Sequence, residues 1–474
     1  MIYTNSVKKY LREEKNMDKM ADVLGRAGAW CGQNKYLSAI KNAFQNFMPL
    51  TIAGAIGVLW CNVLVSESSG LGMFFKPIMA LDFLNPAFNA VNFCTISCIT
   101  VGITLGISQE IGVWNMGADR AGYVPGLVGL AAWLSVTNTV QSIDLISVTD
   151  KAGEALGSVT KFLELPDGAT VSTITAINGN ELGATGLFTG MIVGIVAVEL
   201  FCALEKVDAL KIKMPEQVPP GVARAFEVLV PAAIVLIITA CIGSFCHDLT
   251  GLYLNDVIKN SIQGPLGAVG ASIPGVIIIY LIIMLFWLVG IHGNNMLSAV
   301  KEALFTPLAL ENVEAFNNKE TPKNVINMYF LQMTGEFGGS GVTIGLVISI
   351  FIFGKREDNR AIATLSVVPG LFNINETVTF GIPMVLNPIL GIPFVVAPII
   401  TILVGYVLTL IGFCPVACLT VPWTTPPILF GFLATGANIM GAVTQAILVV
   451  VSTVIYAPFL LAYEKYQNKQ AAEA

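Results

Sequence analysis

From Ala361 to Tyr463 the sequence contains a single charged side chain, Glu376, and no histidine. A soluble domain cannot be built from such a run, because soluble proteins carry about 25% charged residues. Uncharged stretches as long as a membrane-spanning helix, about 20 residues, recur earlier in the chain. They are Asn42–Ser66, Phe83–Gln109, Ala121–Ile143, Leu182–Val198, Val228–Cys246 and Asn260–Val300. With 55% hydrophobic and 12% charged residues, the chain is predicted to be an all-α polytopic membrane protein with about 10 transmembrane helices.

Basic residues predict how the spans are oriented. Lysines and arginines crowd the segment 1–41, a second basic cluster (206–224) follows the fourth uncharged stretch, and Lys465 and Lys469 lie near the C-terminus. Positively charged loops stay on the cytoplasmic side, so we expect both termini to be cytoplasmic and the number of spans to be even. This rule does not fix the side of the loop 355–360. The net charge of −6 argues against nucleic acid as a partner.

The Pro219–Pro220 pair indicates how the chain is divided. Two successive prolines break a helix, and a new apolar stretch starts shortly after them. We therefore predict a cytoplasmic N-terminal segment, an N-terminal membrane domain, a C-terminal membrane domain and a cytoplasmic tail. These are residues 1–41, 42–227, 228–463 and 464–474, respectively. The polar connection 144–181, which mixes Thr, Val and Gly, has the composition of a small hairpin outside the bilayer.

Two stretches of the C-terminal half differ from plain membrane spans. Residues 326–346 place a cluster of glycines beside Glu336, and residues 371–394 carry three prolines at five-residue intervals. Broken helices and re-entrant hairpins occur at membrane depth only where protein or a wet cavity surrounds them, and transporters place substrate sites there. We predict re-entrant hairpins at both places. The alternative is a pair of continuous helices kinked at proline.

Glu376 is the strongest candidate for a functional residue. A carboxylate near the middle of a membrane costs about 2.5–3.5 kcal/mol, so such residues usually face a cavity or a partner. Asn373 and Asn375 lie on the same short segment. Glu and Asn together offer donors and acceptors at fixed geometry, the combination with which proteins bind sugar hydroxyls. We therefore predict that these three residues bind a sugar; the alternative is a structural carboxylate bonded to an unwound backbone.

His292 and Trp423 are two further candidates. His292 stands between two glycines, is followed by Asn294 and lies at the end of a strongly apolar helix. Flanking glycines let a ligand approach closely, although a lone histidine on an apolar helix is more often a core residue. We predict that His292 pairs with Glu376 and that Asn294 contacts the substrate. Trp423 offers a flat apolar face for a pyranose ring, or it is an interfacial anchor.

The sequence lacks the motifs and residue spacings that are typical of several kinds of site. The nine cysteines and two histidines show no ligand spacing, so we expect neither a metal nor a cofactor. The sequence has no P-loop, no nucleophilic-serine motif, no paired carboxylates at glycosidase-like positions and no ladder of ionisable residues for a proton relay.

Several motifs resemble those of one transporter family. KNAFQNFMPLTIAGAIGVL is similar to its first span, VPPGVARAFEVLVP to its linker and GIHGNN to its histidine loop. GGSGVTIGL, LFNINETVTFGIPMVLNPILGIPF and VPWTTPPILFGFLATG follow in the family's order. The family is enzyme IIC, the membrane permease of the bacterial phosphoenolpyruvate-dependent sugar phosphotransferase system, in its lactose/cellobiose/diacetylchitobiose branch. The resemblance covers nearly the whole chain.

The resemblance implies a function and assigns roles. Enzyme IIC carries a β-linked disaccharide across the bacterial cytoplasmic membrane and presents its 6-hydroxyl to enzyme IIB, a separate chain whose phosphocysteine donates the phosphoryl group. The family's Asn-Ile-Asn-Glu carboxylate and Gly-Ile-His-Gly histidine lie at the sugar, which points to Glu376 and His292 as catalytic residues, with Trp423 close by. The chain alone would be the transport component of this phosphotransferase. Members are homodimers in membrane lipid that join through the N-terminal half.

One position departs from the family. A proline usually follows the glutamate, whereas Thr377 stands here, and this leaves the identity of the sugar open. Two other functions remain as alternatives. One is a secondary sugar transporter coupled to H⁺ or Na⁺, with Glu376 as the proton site. The other is an intramembrane enzyme acting on lipid-linked sugars, which the lack of paired acidic residues disfavours.

Overall fold

The computed structural model describes residues 23–66, 72, 75–138, 140–143, 147–149, 155–158, 172–175, 177, 179–215 and 217–473. Residues 1–22 of the predicted N-terminal segment and most of the connection 144–181 lie outside these ranges.

Helices dominate the described part of the chain. In order they are 23–33, Lys35–Leu59, Asn85–Asn92, Ile99–Met116, Ala118–Ala121, Val124–Val136, Gly179–Leu182, Leu187–Glu205, Pro220–Thr250, Leu254–Ile258, Gly264–Gly270, Ile273–Leu288, Gly293–Met296, Ser298–Asn317, Met328–Gly335, Ile344–Phe353, Glu357–Leu371, Glu376–Gly381, Gly391–Leu410, Leu429–Ala434 and Ile439–Glu473. Short 3-10 segments lie at Lys76–Leu84, Ala184–Gly186 and Asp208–Leu210, and π-helical segments at Trp60–Leu64, Phe93–Ser97 and Lys259–Gln263.

Many of these helices are long and apolar enough to cross a membrane. Within the described ranges five qualify singly: Lys35–Leu64, Ala184–Glu205, Pro220–Thr250, Gly391–Leu410 and Ile439–Ala472. Two bent pairs raise the number to seven; Lys76–Ser97 meets Ile99–Met116 at 42°, and Leu254–Gly270 meets Ile273–Leu288 at 72°. The architecture is helical and polytopic, as predicted. The count of about 10 spans is not confirmed and stays a prediction.

The helix Ile99–Met116 lies at the centre of the N-terminal half. It packs against three others: Lys35–Leu59, Val124–Val136 and Leu187–Glu205. Gly190 approaches it so closely that a Cβ atom there would collide with Thr104, and a Cβ atom on Gly129 would collide with Ser108. Membrane helices associate through such small residues, because lipid supplies no hydrophobic force between them.

The helix Pro220–Thr250 packs on this N-terminal bundle. Its Thr239 Oγ1 atom lies 3.1 Å from Ser135 Oγ on the helix Val124–Val136. The predicted domain boundary between residues 227 and 228 falls inside this continuous helix. Its main contacts are with helices of the N-terminal half, and the division of the chain into two membrane domains stays a prediction.

The C-terminal half is built around the last helix, Ile439–Glu473. This helix packs on Ile344–Phe353 and Gly391–Leu410. From it the Tyr456 hydroxyl donates a hydrogen bond to the carbonyl oxygen of Gly341 at 2.8 Å. The glycine-rich segment is thereby held against the helical core.

Both stretches predicted to be re-entrant are interrupted helices. After Met328–Gly335 the chain turns through three glycines with positive φ before Ile344–Phe353 begins. Glu376–Gly381 is followed by turns, and the next helix starts at Gly391. Neither stretch is a continuous span, and their re-entry from one side of the membrane stays a prediction.

Paired strands lie at the end of the third uncharged stretch and in the connection that follows it. Val140–Ile143 pairs antiparallel with Ser172–Thr175, and Ser147–Thr149 pairs antiparallel with Ala155–Ser158. Hairpin-like pairing agrees with the composition of 144–181, and its position outside the bilayer stays a prediction.

Glu464 ties the loop 354–360 to the last helix. Its side chain is 4% exposed and accepts hydrogen bonds from the backbone N–H groups of Lys355 at 2.9 Å and Arg356 at 3.3 Å. Asn359 Nδ2 donates to it at 3.2 Å. This carboxylate therefore satisfies backbone donors at the start of the helix Glu357–Leu371, where the helix dipole also favours negative charge.

The same contacts place the loop on the side of the C-terminus. Arg356 Nη1 donates to Asn468 on the last helix at 2.7 Å, and its guanidinium pairs with Asp358, which lowers the pKa of that carboxyl. A loop that contacts residues 464–468 lies at the same membrane face as they do. If the C-terminus is cytoplasmic, as the basic residues predict, the loop is cytoplasmic as well.

We expect Glu464→Ala to destabilise the protein by about 1–3 kcal/mol, because the backbone N–H groups of residues 355–356 lose this acceptor. Within the described part of the chain, the Asn359 Nδ2 atom then keeps only its hydrogen bond to Gln467. The measurement is the midpoint of thermal unfolding in detergent. Lys465→Ala, at the neighbouring exposed position, serves as the matched control and should leave the midpoint unchanged. Equal midpoints for the two variants would show that the hydrogen bonds of Glu464 to the loop 354–360 do not stabilise the protein.

Candidate functional site

A cavity of about 270 Å³ lies where the two interrupted segments meet the turn after the helix Ile273–Leu288. All six residues predicted from the sequence line it: His292, Asn294, Asn373, Asn375, Glu376 and Trp423. They come from three separate parts of the chain, so the fold brings them together. What they bind remains a prediction.

Glu376 and His292 face each other across the cavity. His292 Nε2 lies 3.8 Å from Glu376 Oε1, and the two side chains are 38% and 47% exposed. His292 Nδ1 accepts a hydrogen bond from the backbone N–H of Asn295 at 3.2 Å, so the neutral ring carries its proton on Nε2. The 3.8 Å distance is too long for a direct hydrogen bond. A ligand hydroxyl beside this pair, about 2.8 Å from each atom, can donate to Glu376 and accept from His292.

Trp287 holds the histidine ring in place. Its ring centroid lies 4.4 Å from that of His292, with the planes tilted by 48°. Trp287 is 1% exposed and packs edge-on against Phe394. Sequence analysis missed this residue, because an aromatic at the end of the apolar run VIIIYLIIMLFW is indistinguishable from ordinary core.

A buried ion pair forms the back of the cavity. Lys301 Nζ pairs with Glu336 Oε1 and donates to Asn294 Oδ1 at 3.1 Å. The Tyr280 hydroxyl donates to the same Glu336 oxygen at 2.9 Å. Asn294 Nδ2 in turn donates to Ser340 Oγ at 2.9 Å. Hydrogen bonds therefore hold both the oxygen and the nitrogen of the Asn294 amide, which fixes the orientation of this side chain in the cavity wall.

Sequence analysis also missed Lys301 and Tyr280. Lys301 directly follows the uncharged stretch that ends at Val300, a place where a charge usually marks the end of a span. Its side chain is 7% exposed, so it is buried and needs a partner. One sign of such a pair is present in the sequence: Glu336 lies among glycines in an apolar stretch, and a buried carboxylate needs a basic partner.

Asn373 joins three segments around the cavity. It has φ +63°, a left-handed conformation that asparagine tolerates better than most residues. Its Oδ1 atom accepts from the backbone N–H of Gly338 at 2.6 Å, and its Nδ2 atom donates to the carbonyl oxygens of Trp423 at 2.5 Å and Thr425 at 3.0 Å. Its amide is therefore occupied by backbone, although the residue lines the cavity as predicted.

Asn375 has a similar role. It is 4% exposed, and its Nδ2 atom donates to the carbonyl oxygen of Ser340 at 2.6 Å. The opposite wall is Gly339, with φ +89°, where a Cβ atom would lie 2.6 Å from Asn375 Cβ. Glycine is required at this position for both its conformation and its lack of a side chain. The predicted role of the two asparagines in sugar binding stays a prediction, and their observed contacts shape the cavity.

Thr377, the departure from the family motif, lies in the first turn of the helix Glu376–Gly381. A proline is tolerated in a first helical turn, because the N–H groups there have no partner within the helix. Thr377 is not among the described residues that line the cavity. The substitution therefore leaves the cavity wall intact.

The cavity is acidic. Its lining carries three carboxylates, those of Glu302, Glu336 and Glu376, against the single ammonium of Lys301. Among the described residues, no group of three or more His, Cys, Asp or Glu side chains is arranged to hold a metal ion. An uncharged ligand rich in hydroxyl groups suits such a lining.

The fold and this cavity define a class of protein: a helical membrane permease with a polar, acidic cavity among the helices that follow Thr250. The family described as "Phosphotransferase system, EIIC" matches residues 16–398, which is most of the chain. The chain belongs to the EIIC family of the phosphotransferase system.

Relatives and a solved structure agree with this assignment. The chain is 32% identical over 458 residues to the PTS system oligo-beta-mannoside-specific EIIC component of Bacillus subtilis (strain 168), with 94% of each chain covered. It is 30% identical over 487 residues to the PTS system cellobiose-specific EIIC component of Lactococcus lactis subsp. lactis (strain IL1403), covering 95% of this chain and 98% of that one.

In structure, the chain resembles the transporter ChbC, the IIC component of the N,N'-diacetylchitobiose-specific phosphotransferase system. The TM-score is 0.81 at 27% sequence identity, with 94% of this chain and 97% of ChbC covered. The helical membrane fold and the family are thereby confirmed. As an EIIC permease, the protein has a sugar as substrate and a separate IIB chain as partner.

Proposed function

We propose that this permease carries a β-linked disaccharide of the cellobiose, lactose or diacetylchitobiose type across the cytoplasmic membrane and presents its 6-hydroxyl to enzyme IIB. The observation that carries the proposal is the 3.8 Å separation of His292 Nε2 and Glu376 Oε1 in the cavity wall, which lets one hydroxyl oxygen beside the pair bond to both atoms. The relatives and the solved structure described above are named for oligo-beta-mannoside, cellobiose and N,N'-diacetylchitobiose, which are β-linked sugars. Trp423, 45% exposed, offers its ring to the apolar face of a pyranose.

Glu376 and His292 have complementary roles at that hydroxyl. Glu376 accepts the hydroxyl hydrogen and raises the nucleophilicity of the oxygen, while the Nε2–H of His292 donates to a lone pair and fixes its direction. The oxygen attacks the phosphorus of the IIB phosphocysteine while its proton passes to Glu376; an O–P bond forms, the S–P bond breaks and the cysteine leaves as thiolate. Phosphoryl transfer depends chiefly on positioning and charge, which this pair supplies.

The acidic lining also favours release of the product. The sugar arrives uncharged and leaves as a phosphate dianion; once Glu376 has passed the hydroxyl proton to water, its carboxylate and the phosphate carry like charges and repel. The charged product does not recross the membrane, so uptake runs in one direction. We propose that a rigid-body movement of the C-terminal half exposes the site to the cytoplasm before the transfer.

Sealed right-side-out vesicles provide the test of the proposed function. With phosphorylated IIB enclosed, the sugar should accumulate inside as its phosphate, and dissipation of ion gradients should not slow it. Uptake that needs an ion gradient and proceeds without IIB would contradict the proposal and support the secondary transporter.

We further propose a homodimer joined through the N-terminal half, with both termini in the cytoplasm. The apolar windows of Lys35–Leu64 and Pro220–Thr250 are each only 28% buried, which leaves apolar surface for lipid and for a second copy. The mass of the protein in lipid nanodiscs measures the oligomeric state.

A further inference from the structure

Three cavities lie in a row along the helix Ser298–Asn317. The cavity around Glu376 and His292, which we call the sugar cavity, is lined by Lys301 and Glu302 of this helix. A middle cavity of about 150 Å³ is lined by Glu302, Thr306 and Leu310. An outer cavity of about 340 Å³ is lined by Leu310, Val313, Glu314 and Asn317. Residues spaced by three or four share one face of a helix, so the three cavities follow a single face. From Glu302 to Asn317 this face is about 22 Å long.

Neighbouring cavities in this row share lining residues. Glu302, Gln332 and Trp423 line both the sugar cavity and the middle cavity. Leu310, which is 5% exposed, lines both the middle and the outer cavity. The middle cavity is thus separated from the site by polar side chains and a tryptophan, and from the outer cavity by a leucine.

The outer cavity lies at the opposite end of the helix Leu187–Glu205 from Arg120 and Arg224. It is lined by Gly183 and Ala184, which directly precede the helix Leu187–Glu205. The far end of that helix, at Glu205, pairs with Arg120 and Arg224. Since the positive-inside rule puts these arginines in the cytoplasm, the outer cavity faces the outside.

The middle cavity has the chemistry of a sugar-binding chamber. Phe44 and Phe47 of the N-terminal half and Trp423 of the C-terminal half supply apolar ring surface. The Gln332 Oε1 atom is buried and has no hydrogen-bond partner within the described part of the chain. An unpaired buried acceptor costs free energy, and a sugar hydroxyl in either adjoining cavity would satisfy it.

We infer that the sugar reaches Glu376 from outside along this face of Ser298–Asn317, through the outer and middle cavities, with Leu310 as the gate between them. The inference rests on the proposed function and adds the entry route and the residue that controls it. The route runs between the two halves of the chain, since Phe44 and Phe47 line one side and Thr306 and Leu310 the other.

The test is Leu310→Trp, which fills the boundary between the outer and middle cavities. Uptake into right-side-out vesicles containing phosphorylated IIB should fall about tenfold or more, because a larger side chain in a packed site raises the barrier. In detergent the sugar also reaches the site from the cytoplasmic side, so phosphorylation by IIB should stay close to wild type. Normal uptake by the variant, or an equal loss in both assays, would overturn the inference.

Leu308→Trp is the matched control. It introduces the same side chain on the same helix, at a position that lines none of the three cavities and faces Gly267. Its uptake should remain close to wild type. If the wild-type protein itself gives no phosphorylation with IIB, the proposed function fails, whereas a phosphorylating wild type with a freely transporting Leu310→Trp contradicts only the route.

A labelling experiment tests the route without relying on transport. Thr306→Cys in a chain freed of its native cysteines places a thiol in the middle cavity, beyond Leu310. A membrane-impermeant thiol reagent added outside should label it, and the sugar should slow the labelling. Adding Leu310→Trp to this variant should suppress the reaction. Absence of labelling from outside, or labelling that ignores Leu310→Trp, would overturn the route.

Discussion

Glu376→Gln is expected to reduce phosphorylation of the sugar by about 100-fold or more, because an amide cannot draw the proton from the attacking hydroxyl. The glutamine oxygen can still accept a hydrogen bond, so binding should weaken by only about tenfold, the difference between a charged and a neutral acceptor. The measurements are phosphoryl transfer from phosphorylated IIB to the sugar and the dissociation constant of the sugar in detergent.

Glu320→Gln is the matched control, since it makes the same chemical change at an exposed position outside the cavity. It should behave as wild type in both assays. Wild-type phosphorylation by Glu376→Gln would remove this carboxylate from the transfer step. A complete loss of binding would instead show that it acts mainly in holding the sugar.

Lys301→Met is expected to destabilise the protein by about 3–5 kcal/mol, since it leaves the Glu336 carboxylate buried without its cation. The side chains of Lys301 and Glu336 are 7% and 18% exposed, so water cannot replace the lost partner fully. The measurement is the thermal midpoint and the yield of monodisperse protein in detergent.

The double variant Lys301→Met/Glu336→Gln provides the control. It removes both charges together and keeps an acceptor for the Tyr280 hydroxyl, so most of the lost stability should return. Sugar binding should stay weaker than in wild type, because Asn294 no longer has the lysine to fix its amide. A double variant as unstable as the single one would show that the pair is not the source of the effect.

The sequence is sufficient to predict the membrane class and the family, since both depend on long apolar stretches and on motifs that survive in linear order. The candidate residues chosen from the sequence also line one cavity, as Glu376, His292, Asn294 and Trp423 show. Intramembrane polar residues are so costly that their presence alone indicates a shared cavity.

Partners that meet through the tertiary fold could not be predicted. Lys301 and Glu336 lie 35 positions apart and Trp287 looks like ordinary core, so neither the ion pair nor the support of His292 has a local signal. The packing of the helix that follows the proline pair has no local signal either. The proline pair marks the start of a helix correctly, but only packing shows that Pro220–Thr250 belongs to the N-terminal bundle.

The amide of Asn373 connects the glycine-rich segment, the Asn-Ile-Asn-Glu segment and the tryptophan segment through three hydrogen bonds. We expect these segments to move as one rigid platform, which forms part of the cavity wall. A movement of the C-terminal half that carries the sugar across the membrane should leave this platform undeformed and place the strain at the contact surface between the two halves of the chain. Substitutions at that contact surface should alter the speed of transport, whereas substitutions within the platform should alter which sugar is accepted.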